Sequence, residues 1–137
     1  MNDRIQVRFK FHDNESNENY YNILDILAEN DISIDLINIF PKEQVFTIDE
    51  ACIEKLKEIV RTLNLNCNYS DKCTKVSLIG NGIKGVPGVM AKILKVLKSS
   101  NIEVLQTSDS HTTIWCLVHS SDSKKALNII HDTFMVN

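Results

Sequence analysis

From Arg4 to Phe11 the chain alternates, with Ile5, Val7, Phe9 and Phe11 on one phase and Arg4, Gln6, Arg8 and Lys10 on the other. A period of two marks a strand with one face buried. A polar, acidic stretch from His12 to Asn19 follows, after which Tyr20, Leu24, Leu27 and Ala28 recur along one helical face that Asn30-Asp31 ends. Ile32 to Phe40 reads as a strand, Pro41-Lys42-Glu43 as a turn, and Gln44 to Ile48 as the antiparallel return. Asp49 stands where a helix N-cap is wanted, ahead of an apolar stripe of Ile53, Leu56, Val60 and Leu63. Asn66 to Tyr69 supplies a short fourth strand, so residues 1–71 are predicted to run β-α-β-β-α-β.

The second half repeats this order. Val76, Leu78 and Ile79 end a strand, and Val89, Met90, Ile93, Leu94, Val96 and Leu97 mark a helix. Ile102 to Thr107 and Thr112 to Val118 read as strands joined by the tight hairpin Ser108-Asp109-Ser110-His111, and Ala126, Leu127, Ile130 and Phe134 mark a last helix. Ile23 to Leu27 superposes on Ile93 to Leu97, Asp31 to Ile34 on Asn101 to Val104, and Val45 to Ile48 on Trp115 to Val118, all at one offset and without a gap. A duplicated unit accounts for this: two domains, 1–71 and 72–137, each an antiparallel sheet with two helices on one face, an α+β architecture. Only Met135-Val136-Asn137 follow the last helix, too few for a full fourth strand in the second copy. A sheet lacking its outer strand exposes unpaired backbone groups that attract a cover. A homodimer is therefore expected.

The backbone punctuation is concentrated in one place. All four glycines and one of the two prolines lie between Gly80 and Gly88, in the loop from strand to helix. Pro87 suits a first helical position, and Gly88 leaves no side chain over the first free amides. Such a helix start is a natural seat for a carboxylate or phosphate; the plainer reading is that the glycines only shape a tight turn. Gly80, Gly82 and Gly85 spell the G-x-G-x-x-G of a dinucleotide site, with Asp109 at the end of the next strand. The hairpin after that strand decides against it, because a doubly wound parallel sheet needs a long crossover there.

Composition narrows the class. The 137 residues are 43% hydrophobic, enough for a real core. A net charge of −3 without a basic stripe leaves no footprint for nucleic acid, and no apolar run approaches the length of a membrane span. A soluble, cytoplasmic protein is expected. Cys52, Cys67, Cys73 and Cys116 form no C-x-x-C pair and read as reduced core or boundary side chains; with four unclustered histidines, no metal site or cofactor is implied.

Tandem β-α-β-β-α-β units carrying Lys75-Val76-Ser77-Leu78-Ile79-Gly80-x-Gly82, then Val86-Pro87-Gly88-Val89-Met90-Ala91, then Ser108 to Ile114 and the Ala126-Leu127-x-x-Ile130-His131-x-x-Phe134 ending resemble the C-terminal regulatory region of aspartate kinase, a pair of ferredoxin-like ACT domains. Asp35 to Ile39 with Val45 to Ile48 is similar to the first ACT domain of that region. The resemblance implies allosteric feedback. In that family an end-product amino acid such as lysine, threonine or diaminopimelate binds between ACT domains and shifts the attached kinase towards an inactive state. The Gln106 to His111 variant looks closest to the kinases inhibited by diaminopimelate or lysine. The kinase domain itself is absent from these residues, so the chain is expected not to phosphorylate aspartate, though an aspartate kinase catalytic chain is an implied partner. Two other roles fit the same residues: a free-standing ACT sensor with a different partner, and a dimerisation module whose sites have decayed.

An amino-acid effector sets chemical demands that can be matched to residues. Its carboxylate needs backbone donors, which Ile83, Gly85, Val86, Pro87, Gly88 and Val89 frame, and its ammonium needs carbonyls or a carboxylate, for which Asp109 is the candidate. Gln106, Thr107 and Ser108 complete a polar shell at the end of the neighbouring strand. In the first copy Asn38 takes the place of Ser108, and Asp13, Asn14 and Glu15 line the loop. That loop lacks the Pro-Gly pattern and reads equally as a solvated acidic segment. If it binds, its carboxylates favour a ligand with a second ammonium.

Overall fold

The computed structural model describes residues 3–11, 18–20, 22–79, 88–110 and 112–134. The chain divides into two compact units, one ending at Asp71 and the other beginning at Lys72.

In the first unit, β1 (Arg4–Lys10) leads through a short turn of 3-10 helix at Glu18–Tyr20 into α1 (Ile23–Glu29). Strands β2 (Asp35–Phe40) and β3 (Glu43–Asp49) follow, then α2 (Ile53–Thr62) and β4 (Cys67–Ile79). The strand order is β2-β3-β1-β4, with β3 antiparallel to both neighbours. Inward side chains Ile5, Val7, Phe9, Phe46 and Ile48 meet Ile23 and Leu27 of α1 and Leu56 of α2 in one core. Phe9 and Phe46 stack with ring centres 5.9 Å apart.

The second unit continues along β4 into α3 (Val89–Ser99), β5 (Val104–Asp109), β6 (Thr113–His119) and α4 (Ser123–Phe134). Its strand order is β4-β6-β5, and β6 is antiparallel to both neighbours. Val76, Leu78, Ile114, Cys116 and Val118 pack against Val89, Ile93 and Leu97 of α3 and Ala126 and Ile130 of α4. Both units are thus antiparallel sheets with helices on one face, and the parallel sheet of a dinucleotide fold is absent from the described residues.

Three helices stop by the same device. Asp31, Asn64 and Asn101 follow α1, α2 and α3 with φ of 59°, 55° and 61°. The next amide then reaches back five residues: Ile32 to the carbonyl of Leu27 at 2.9 Å, Leu65 to Val60 at 2.9 Å, and Ile102 to Leu97 at 3.0 Å. This is the Schellman closure, with an apolar residue tucked under the helix end. Asp31 and Asn101 occupy matching places in the duplication, and each copy has a bulge near the start of the following strand, between Asp35 and Asn38 in β2 and between Val104 and Gln106 in β5.

Several boundaries differ from the sequence pattern. The strand expected from Ile32 begins at Asp35, because Ile32 is held by the end of α1. The separate strands expected at Asn66–Tyr69 and before Ile79 are one strand of 13 residues, β4. Helix α3 starts at Val89 with Gly88 as its N-cap, and Pro87, expected at the first helical position, lies outside the described residues. Leu127, expected on the buried face of α4, is 50% exposed. Asp49 does cap as expected, its Oδ1 accepting the Ala51 amide at 2.9 Å ahead of α2. All four cysteines are free, with Cys73 and Cys116 buried. Among the described residues no group of His, Cys, Asp and Glu is arranged to hold a metal, and no helix is long and apolar enough to cross a membrane.

Candidate effector site

In the second unit β4 ends at Ile79 opposite Thr113, where β6 begins, and β5 ends at Asp109 opposite Ile114. The C-terminal end of α3 leads directly into β5, and α3 packs back along that strand. The start of α3 and the end of β5 therefore belong to the same end of the unit.

Gly88 has φ 80° and ψ 5°, a left-handed conformation that glycine adopts without steric cost. Its carbonyl accepts the Lys92 amide at 2.9 Å, the first bond of the helix. No side chain at the cap bonds to the first-turn amides, and no acidic residue lies in that turn. An 11-residue helix with its leading N–H groups free of a side-chain cap carries the partial positive charge that favours an anion. A Cβ built on Gly88 would meet nothing within 4 Å, so the position has room for a side chain and its backbone conformation, not space, favours glycine. Val89, the next residue, turns its side chain into the core at 8% exposure and can offer only its backbone.

The four consecutive β5 candidates do not act as one group. Thr107 pairs with Cys116 and Asp109 with Ile114, whose side chains belong to the helix-facing core. Gln106 and Ser108 pair with Leu117 and Trp115 on the opposite face. Thr107 and exposed Asp109 therefore share the face of α3, while Gln106 and Ser108 stand beside Trp115, over whose ring Lys75 Nζ sits at 5.8 Å. The bulge at the start of β5 sets this phase, because its extra residue brings Val104 and Asp109 onto one face despite their odd separation.

In the first unit Asn38 pairs with Val45 on the face away from the helices, the register place that Ser108 holds opposite Trp115. Ile83, Gly85, Val86 and Pro87, and Asp13, Asn14 and Glu15, lie outside the described residues. Two surface depressions in this unit are lined by none of the expected site residues. One of about 620 Å³ borders Leu24, Ala28 and Asp31 to Ile34, and one of about 390 Å³ borders Ile26, Asn30, Lys55, Glu58 and Leu63.

Gln44 was not expected to matter. It pairs with Phe9 and Ile39 on the helix-facing side, at 9% exposure, and its Oε1 is buried with no hydrogen-bond partner among the described residues. The signal was available in the alternation of β3, where a glutamine falls on the inward phase with Phe46 and Ile48.

Comparison with known proteins agrees with this architecture. Residues 68–132 match the ACT domain family. Aspartokinase 1 of Bacillus subtilis is 42% identical over 108 residues, which cover 79% of this chain and 27% of that protein. A chain from the solved aspartokinase alpha and beta subunits shares the fold at TM-score 0.85 and 20% identity, covering 99% of both chains. The regulatory subunit of aspartate kinase from Thermus thermophilus, in a ligand-free form, superposes at TM-score 0.78 and 20% identity, covering 96% of this chain and 93% of that one.

Fold and sequence together define an ACT-domain protein. More narrowly, its sequence is similar to part of aspartokinase, and it spans about a quarter of the length of the Bacillus subtilis relative.

Proposed function

We propose that the chain is the non-catalytic, effector-sensing part of an aspartate kinase, either as a region of a longer protein or as a separate subunit, with a kinase catalytic chain as its partner. The effector is an end-product amino acid, with lysine, diaminopimelate and threonine as the candidates. The observation that carries this reading is the start of α3, free of a side-chain cap and of acidic residues, at the same end of the unit as Thr107 and Asp109. Free amides suit the effector's carboxylate, and Asp109 suits its ammonium. Occupancy would shift a conformational equilibrium only as far as the two states differ in affinity for the amino acid.

The test is thermal-shift or calorimetric screening with lysine, threonine, methionine and diaminopimelate. Selective binding to the folded chain raises the unfolding temperature. A rise with one of these amino acids at millimolar concentration supports the reading, and no rise with any of them rejects it.

Self-association is a second property supported by a specific observation. In the first unit β2 is an edge strand, and Ile37, Ile39 and Phe40 are 39%, 61% and 50% exposed along it. An apolar edge is a template for pairing, and a homodimer would cover it. Light scattering at micromolar concentration should give about twice the chain mass. A stable monomer would reject the dimer.

A further inference from the structure

Strand β2 carries two local defects in its pairing with β3. Between Asp35, opposite Thr47, and Asn38, opposite Val45, two residues of β2 face one of β3. Leu36, the first of the two, has φ 51°, a left-handed conformation that is sterically costly for a leucine. Strand β5 also has a bulge, yet none of its residues takes a positive φ. From Asn38 onward the register of β2 sets Ile39 opposite Gln44, so the buried Oε1 of Gln44 has an apolar neighbour and no donor among the described residues. Ile39 gains little in exchange, standing 61% exposed.

One slip removes both defects. When residues 36–40 continue the register that Asp35 already holds, Leu36 faces Phe46, Ile37 faces Val45 and Asn38 faces Gln44. Leu36 then returns to extended backbone, and the Asn38 amide stands beside Gln44 as a donor. The extra residue passes to the turn, which lengthens from Pro41-Lys42 to Phe40-Pro41-Lys42, a loop length that hairpins also use. Asp35 is the fixed point. Its carbonyl accepts the Thr47 hydroxyl at 3.2 Å, and Arg4, which donates to that hydroxyl at 3.2 Å, lies 3.7 Å from its carboxylate. Because β2 is an edge strand, only its pairing with β3 has to change.

We infer that β2 is a two-register strand, the bulged register dominant and the slipped register a minor state in exchange with it. The slip carries Asn38 from the face away from the helices to the helix-facing side, and Ile39 the opposite way. The two registers thus offer different edges, and whatever pairs along β2 shifts the balance only by its preference between them. The inference is independent of the effector reading.

Relaxation-dispersion and saturation-transfer NMR on the full chain tests it. Backbone signals of residues 36–40 and 43–46 should share one exchange process, absent from residues 104–109 of β5. In the minor state the α-carbon shift of Leu36 should be that of extended backbone. Gln44→Met removes the orphaned amide and Leu36→Gly removes the left-handed cost, so each should lower the minor population about fivefold or more. Leu36→Gly also deletes a side chain that is 7% exposed, so Gln44→Met, which nearly keeps the volume, decides the matter if the glycine variant does not fold. Exchange that is missing from β2, that disappears on dilution, that leaves Leu36 left-handed in both states, or that is unchanged by Gln44→Met overturns the inference.

Discussion

The hydroxyl of Tyr20 accepts the backbone amide of Asn66 at 2.6 Å, tying the short turn before α1 to the residue that precedes β4. Tyr20 is 2% exposed, and its ring lies 5.4 Å from that of Phe11, so the phenol is held in place by the core on one side and by this bond on the other. Tyr20→Phe keeps the ring and removes the acceptor. Because Asn66 is exposed, water can partly replace the lost partner, and the expected cost is about 1 kcal/mol in urea unfolding, at the low end for a hydrogen bond. Tyr20→Leu should cost more, since it also removes ring contacts.

Substitution at Gly88 separates backbone strain from blockage. At φ 80° every L side chain pays a conformational cost, about 1 kcal/mol for alanine and more for a β-branched residue, although no atom stands in the way. Gly88→Val is therefore expected to destabilise the fold as well as the site. Gly88→Asn tolerates the left-handed conformation better and places a side chain over the first-turn amides. It should keep most of the stability while weakening effector binding, which calorimetry beside thermal unfolding would show.

The phase of β5 predicts a split among neighbours. Thr107→Val and Asp109→Asn alter the face shared with α3 and should weaken effector affinity about tenfold. Gln106→Ala and Ser108→Ala alter the opposite face and should leave affinity within about twofold. Calorimetric titration of the four variants checks the alternation directly, and equal losses in all four would reject it.

Stability should fall in alkali. Burial pushes the Cys116 thiol from 9.0 up to about 11, and burial does the same to Cys67. Tyr69 is also raised, by burial first and then by neighbouring Cys67. A raised pKa means that the folded chain keeps a proton which the unfolded chain surrenders. The stabilisation is full below pH 9 and is lost as pH rises towards about 11, by roughly 2 kcal/mol for Cys116. Urea midpoints measured across that range should decline, and Cys116→Ala should decline less steeply, whatever its stability at neutral pH.

The residues explain which parts of the fold could be read from the chain and which could not. Helix ends were legible where Asn30-Asp31 and the cap Asp49 stand, because those side chains act locally. The continuous β4 was not, because Ser70, Asp71 and Lys72 are all exposed and break the alternation that signals a strand. Leu127 misled because Ala126 and Ile130 already define the inward side of α4. At the site, Gly88 and the polar end of β5 could be named from composition and spacing. Their division between two faces could not, since it depends on a bulge whose extra residue leaves no mark in the pattern.

The left-handed residues that close α1, α2 and α3 have one more consequence. Glycine is the residue best suited to such an exit, yet this chain ends those helices with Asp31, Asn64 and Asn101 and keeps its glycines for the segment from Gly80 to Gly88. Asp31→Gly, Asn64→Gly and Asn101→Gly should each add about half a kcal/mol or more, and selection for heat tolerance should find them early. The protein thus works below the rigidity its own architecture allows, with the unused margin stored at three helix exits.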